Sequence, residues 1–216
     1  MANERILFMK KIKAKLFRSN LTGVRANIEY IRFANFLWKN IPKIKKIVVI
    51  GVGDPECFID SIGPRCISEI QKICDTIPMY GNLVSPITRS KVENYKQRIK
   101  QEYPNAFVIA IDSSLGRLKP GSVQVDTHPL KPAIGLKKDC EEIGDLSILA
   151  VVGESEKHLL SKHMDRSVKT ATDFIVKGLL LWICLCRKEP VVSIDFIKTF
   201  KISSIFPKKE NCSNWH

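Results

Sequence analysis

Four carboxylates stand where a parallel sheet would gather chemistry. In IVVIGVGDPECFIDSIGP (47–64) a β-branched run leads into Asp54, Glu56 and Asp60, and a second apolar run, AFVIAID (106–112), ends on Asp112. When two carboxyl groups crowd a low-dielectric crevice, one pKa rises. The protonated member then donates to a scissile carbonyl while the ionised member takes a proton from water. Asp60 and Asp112 are the natural pair for such acid–base work. Each has a plainer role open to it: Asp60 as the N-cap of a helix starting at Ser61, and Asp112 as a strand-end turn residue in DSSLG. Asp54 and Glu56 are secondary candidates, equally accounted for by a solvated loop face.

Other chemistries fit less well. The frame Gly51-Val-Gly53-Asp-Pro-Glu56 puts Glu56 where a dinucleotide fingerprint needs its third glycine, and the acids would repel a pyrophosphate. No G-x-x-x-x-G-K-S/T and no G-x-S-x-G occurs, and none of the histidines at 128, 158, 163 and 216 lies beside an obvious nucleophile elbow. A metal site is the alternative with donors: Asp60, Asp112 and His128 are ligand types for zinc or nickel. A lone histidine in a loop such as DTHPLKP is more often simply solvated.

For the carboxylates to meet, the elements carrying them must share an edge. Residues 1–46 read as helical, with Ile28, Ile31, Leu37 and Ile41 near one face and Pro42 ending the helix. IVVIGVG (47–53) reads as a strand covered on both faces. A helix over Ser61–Thr76 follows, with Ile62, Ile67, Ile70, Ile73 and Ile77 at helical spacing and Pro64 in its first turn. RSKVENYKQRIKQEY is a solvated helix that stops at Pro104. AFVIAID and LSILAVVG (146–153) are buried strands, GSVQV (121–125) alternates like an edge strand, and a long helix surrounds Ser161–Cys184. This alternation predicts a three-layer α/β/α domain with a mostly parallel, twisted sheet. Ligand crevices in such sheets lie at the carboxyl ends of the strands, so the loops bearing Asp60 and Asp112 leave the same edge.

The chain of 216 residues carries a net charge of +13, unevenly placed. Between Met1 and Lys46 there are 12 Lys and Arg against 2 Asp and Glu, a local balance of +10. A basic arm of this kind suits nucleic acid, an anionic membrane or an acidic protein, unless it is an amphipathic helix packed on its own domain. Seven cysteines form no C-x-x-C and no zinc-finger spacing, and the N-terminal region lacks an apolar signal core, which points to a reducing, cytoplasmic setting. The longest apolar run, GLLLWICLC (178–186), falls far short of the roughly 20 residues of a membrane span.

GVGDPECFIDSIGPRC, MYGNLVSP, VIAIDSSLGR and PLKPAIGLKKDCEEIGDLSILAVVG, in this order, resemble the YyaC-type sporulation proteins. These are similar in turn to the germination protease and, more distantly, to hydrogenase maturation endopeptidases. The resemblance runs from about 46 to 183, and DSIGP and IDSSLGR are its specific pieces. It implies a phosphorylase/hydrolase-like, maturation-protease-like domain at 46–186, flanked by a basic helical extension (1–45) and a peripheral C-terminal extension (187–216). It also implies an endopeptidase acting on spore proteins, small DNA-binding spore proteins among them, in the cytoplasm or the forespore; a metal-dependent maturation-type protease and a catalytically silent sporulation interaction module are the alternatives it leaves open. The family's D-x-L/I-G-P and I-D-A/S aspartates fall on Asp60 and Asp112. No cofactor is obligatory in that reading; in the hydrogenase-processing relatives the acidic positions and a later histidine contact nickel. Gly51, Gly53 and Gly63 are expected to admit the substrate backbone, with Asp54, Ser113, Ser114 and Arg117 shaping the cleft. Ala133 replaces a glycine of the relatives' PLKPGxG, and GDPECFID replaces a Thr/Ser-rich loop. The basic segment could contact nucleic acid weakly or serve as an inhibitory pro-piece.

Overall fold

The computed structural model describes residues 15–19, 21, 23–43, 45–132, 141–153 and 163–186. Six strands form one sheet: β1 (Lys15–Arg18), β2 (Ile47–Gly51), β3 (Met79–Tyr80), β4 (Phe107–Leu115), β5 (Ser122–Asp126) and β6 (Leu146–Gly153). Their order is β1-β5-β6-β4-β2-β3. β3, β2, β4 and β6 run parallel, whereas β5 is antiparallel to β6 and β1 antiparallel to β5. The helices are α1 (Gly23–Asn40), α2 (Ile62–Gln71), α3 (Val92–Glu102) and α4 (His163–Cys186).

Strand alternation sorts the core into two layers. Val49, Ile109, Ile111, Ile148 and Ala150 face α1, α2 and α4; Val48, Ile50 and Ala110 face the other way, with Ile87 and with Val92 and Ile99 of α3. A sheet covered on both faces is what the continuous β-branched runs require, and the expected three-layer α/β/α architecture is observed. The apolar run of 178–184 is the buried end of α4. Among the described residues no helix is long and apolar enough to cross a membrane.

Three local expectations are corrected. Residues 15–18 are a strand, not helix: β1 pairs with the otherwise open side of β5, so GSVQV is interior rather than an edge. An unpaired sheet edge exposes a row of N–H and C=O groups, and four residues suffice to cover it. The buried face of α1 is Ala26, Tyr30, Phe33 and Leu37, with Ile41 buried just beyond its end, while Ile28 is half-exposed. α2 ends at Gln71, after which Ile73 and Cys74 both donate to the Ile70 carbonyl in a tightened last turn.

β1 and α1 are also built into the domain rather than appended to it. Phe17 is fully buried and meets Phe33, Phe36 and Phe174 at ring-centroid distances of 5.2, 6.1 and 6.2 Å. α1 crosses α4 where Gly178 leaves room for the Phe33 ring. Phe17→Ala is therefore expected to cost about 3–5 kcal/mol in chemical denaturation. A detachable arm would show almost no loss.

Candidate functional site

The loop bearing Asp60 leaves the carboxyl edge of β2, and Asp112 lies toward the same edge on the adjacent β4, where ligand crevices form in parallel sheets. After Gly51 and an isolated bridge from Val52 to Ile87, the chain turns through Gly53 and closes a 3₁₀ turn at Phe58–Asp60 before α2. Gly53 has φ +140°, and a Cβ there would sit 1.9 Å from the Asp60 carbonyl oxygen. Only glycine allows the turn to fold back so closely.

Asp60 is not a helix cap. The residue at the α2 N-cap position is Ser61, which makes no side-chain cap bond. Its hydroxyl instead donates to the Phe58 carbonyl at 2.5 Å and accepts from Arg65 Nε at 2.7 Å. Asp60 points back into the loop. Its Oδ2 accepts the Asp54 N–H at 2.9 Å and its Oδ1 accepts the Ser113 hydroxyl at 3.2 Å. Asp54 in turn accepts the Glu56 N–H at 3.0 Å, so it orders the turn, and Glu56 is exposed.

Asp112 is not a strand-end turn residue: pairing with β6 carries β4 on to Leu115, and Asp112 lies within the strand, 6% exposed, near the centre of the parallel array. Its Oδ1 accepts the Ser113 N–H at 2.7 Å. Alternation along β4 sends the two side chains to opposite faces: Asp112 follows Ala110 toward the α3 side, and Ser113 follows Ile111 toward the side of α2 and α4. Ser113 thus reaches both aspartates, one through its backbone N–H and one through its hydroxyl. Ser114 is half-buried beside a register shift between Ser114 and Leu115, and Arg117 is exposed in the following bend.

The two carboxyls differ electrostatically. Burial pushes Asp112 well above the usual carboxylate range, the Asp60 charge adds to this, and the Ser113 N–H opposes it. Burial also raises Asp60, but the Asp54 N–H and the Ser113 hydroxyl favour its ionised form, against the charge of Asp54. Asp112 carries the stronger push toward the neutral acid.

The glycines expected to admit a substrate backbone are taken up by the chain itself. A Cβ on Gly51 would meet the Gly63 carbonyl oxygen at 2.4 Å, and one on Gly63 would meet those of Val52 and Ile111 at 2.3 and 2.6 Å. With Gly53 they permit close packing of the turn and of α2 on the strands; they do not leave open space. Two contributors escaped sequence reasoning. Gly81, at φ +78°, brings the loop after β3 against the Gly51 carbonyl, and Arg65 stacks 5.0 Å from the Phe58 ring centroid while holding Ser61. The glycine after the short apolar pair MY was the available signal for the first.

Among the described residues, no three His, Cys, Asp or Glu side chains gather as metal ligands. His128 is exposed and hydrogen-bonded to Asp126, so the set Asp60, Asp112 and His128 is not assembled. Two carboxylates alone fall short of the three protein donors typical of a catalytic zinc site. His158 and His216, Ala133 and the tail after 186 lie outside the described residues.

A family model described as "Protein of unknown function (DUF1256)" matches residues 23–177. The uncharacterized protein YyaC of Bacillus subtilis (strain 168) is 34% identical over 142 residues, which cover 63% of this chain and 69% of that protein. Among solved structures, the NiFe hydrogenase maturation protease HycI from Thermococcus kodakarensis KOD1 aligns with a TM-score of 0.38 at 12% identity, over 61% of this chain and 92% of that one.

Proposed function

We propose, from the premise that this chain belongs to the DUF1256 family, that it is an endopeptidase working through a paired-aspartate, water-activating mechanism. The observation that supports this best is the double contact of Ser113, whose N–H reaches Asp112 and whose hydroxyl reaches Asp60. In support, one residue hydrogen-bonds both a carboxyl pushed well toward its neutral form and a carboxyl that accepts two donors.

In this reading Asp60 takes a proton from water as the water oxygen bonds to the scissile carbonyl carbon. Asp112 donates its proton to the carbonyl oxygen. The tetrahedral intermediate collapses with cleavage of the C–N bond, the amine leaves with the proton held on Asp60, and Asp112 recovers its own from the hydroxyl. No step passes through a metal. The sequence resemblance offers small DNA-binding spore proteins as substrates and the forespore as the setting.

The test is cleavage of such a spore protein by the purified full chain, in buffer containing EDTA, compared with Ser113→Ala. Wild type is expected to cleave. Ser113→Ala removes one hydrogen bond to ionised Asp60 while keeping the N–H to Asp112, so activity should fall about tenfold. The acidic limb of the pH profile should move to higher pH, because the ionised form of Asp60 loses a donor. Absence of cleavage by wild type, or an unchanged acidic limb in an otherwise weakened variant, would count against the reading.

A further inference from the structure

The outward face of α1 is not explained by the cleft. Its inner residues fill the core, yet Ile28 is 50% and Trp38 39% exposed, with Ile31 half-buried between them. Arg25, Arg32 and Lys39, seven residues apart, form a row along the same exposed surface. Lys43 lies over the Trp38 ring at 3.8 Å from its centroid, and Lys45 and Lys46 follow, both exposed. Between Lys15 and Lys46 the chain has eight Lys and Arg against one acidic residue, Glu29, which is buried and paired with Arg32. Glu29 thus offsets Arg32, and the rest of the outward face is apolar and cationic.

We infer that this face of α1 docks the protein onto an anionic bilayer surface. A phosphate backbone would satisfy the cations but leaves Ile28 and Trp38 in water without a role. The headgroup region of a membrane takes both: the indole and the isoleucine enter the acyl boundary, and the lysines and arginines meet lipid phosphates. A helix already held rigid by its buried face loses no folding entropy on docking. Because α1 lies on the α2 and α4 side of the sheet, docking does not draw on the carboxylate pair, and the inference stands apart from the peptidase reading.

The experiment is co-sedimentation of the full chain with vesicles of phosphatidylcholine alone and of phosphatidylcholine with phosphatidylglycerol. Binding is expected to the anionic vesicles only, and to weaken as salt rises. Lys39→Glu with Lys43→Glu should lower the partition coefficient more than tenfold, on the scale of roughly fivefold per cation removed. Trp38→Ser should lower it at least fivefold, an effect that a purely ionic contact would not show. The unfolding transition of each variant serves as the folding control. Equal binding to neutral and anionic vesicles, no binding, or anionic binding indifferent to these variants would overturn the inference. So would binding to random duplex DNA that the same variants abolish while vesicles are ignored, since that outcome makes the face a nucleic-acid surface.

Discussion

Asp60→Asn and Asp112→Asn should each reduce cleavage about 10²- to 10⁴-fold, the range of a positioned general acid or base, without loss of the fold. Asparagine keeps the volume and the acceptor oxygen of each site but cannot exchange a proton. The stability readout separates the two roles. Asp112 titrates well above the usual carboxylate range when folded, because burial and the Asp60 charge disfavour its anion. The folded state therefore binds this proton more tightly than the unfolded chain does, and stability falls as pH rises from about 3.9, the unfolded value, up to the raised folded value. Asp112→Asn removes that penalty. Its thermal midpoint should match wild type in acid and equal or exceed it near neutrality. Asp60 gives a weaker signature: burial raises it too, but the Asp54 N–H and the Ser113 hydroxyl offset part of that push. Full cleavage activity in both variants would end the aspartate-pair assignment. A collapsed near-ultraviolet circular dichroism spectrum would instead show that the residues are structural.

Gly63→Ala is expected to destabilise the protein by about 3 kcal/mol, which for a chain of this size lowers the unfolding midpoint by roughly 6–12 °C. The added Cβ would lie 2.3 Å from the Val52 carbonyl oxygen, 2.6 Å from that of Ile111 and 2.7 Å from the Val52 nitrogen. All three are backbone atoms of a two-sided sheet, so none can swing away as a side chain would. Relief requires α2 to move off β2 and β4, and Asp60 rides on the turn just before α2. Cleavage should therefore suffer beyond what the loss of stability explains. Gly116→Ala is the matched control, because a Cβ there meets nothing within 4 Å, and its midpoint should be unchanged. Equal midpoints for the two variants would show that the contact between α2 and the sheet is looser than the geometry states.

The architecture was legible where the signal is local. Val48, Val49 and Ile50, and likewise the 107–112 and 146–153 runs, are apolar on both faces because both faces of the sheet are covered, and a continuous β-branched run records that directly. α3 was readable from its polar periodicity and from Pro104, which ends it. β1 and the two-residue β3 were not, since neither contains enough residues to show a period; each exists because a neighbouring strand offers unpaired backbone groups.

The candidate site divides along the same line. The chain alone placed Asp60 in the loop after one strand and put glycines around that turn; it ended the second strand on Asp112, whereas β4 runs on to Leu115 and Asp112 lies within it. The family resemblance was carried by local words, DSIGP and IDSSLGR, and so was also readable in one dimension. Tertiary structure decided what the residues touch. Gly51, Gly53 and Gly63 looked like an opening and prove to be contact points, because close approach of backbone to backbone is a property of two segments, not one. Asp112 and Ser113 are adjacent in sequence, yet strand alternation sends them to opposite faces, and only the seating of α2 brings Asp60 onto the Ser113 hydroxyl. Sequence carries the periodicity of each element, whereas the meeting of side chains from different elements depends on how their faces pack.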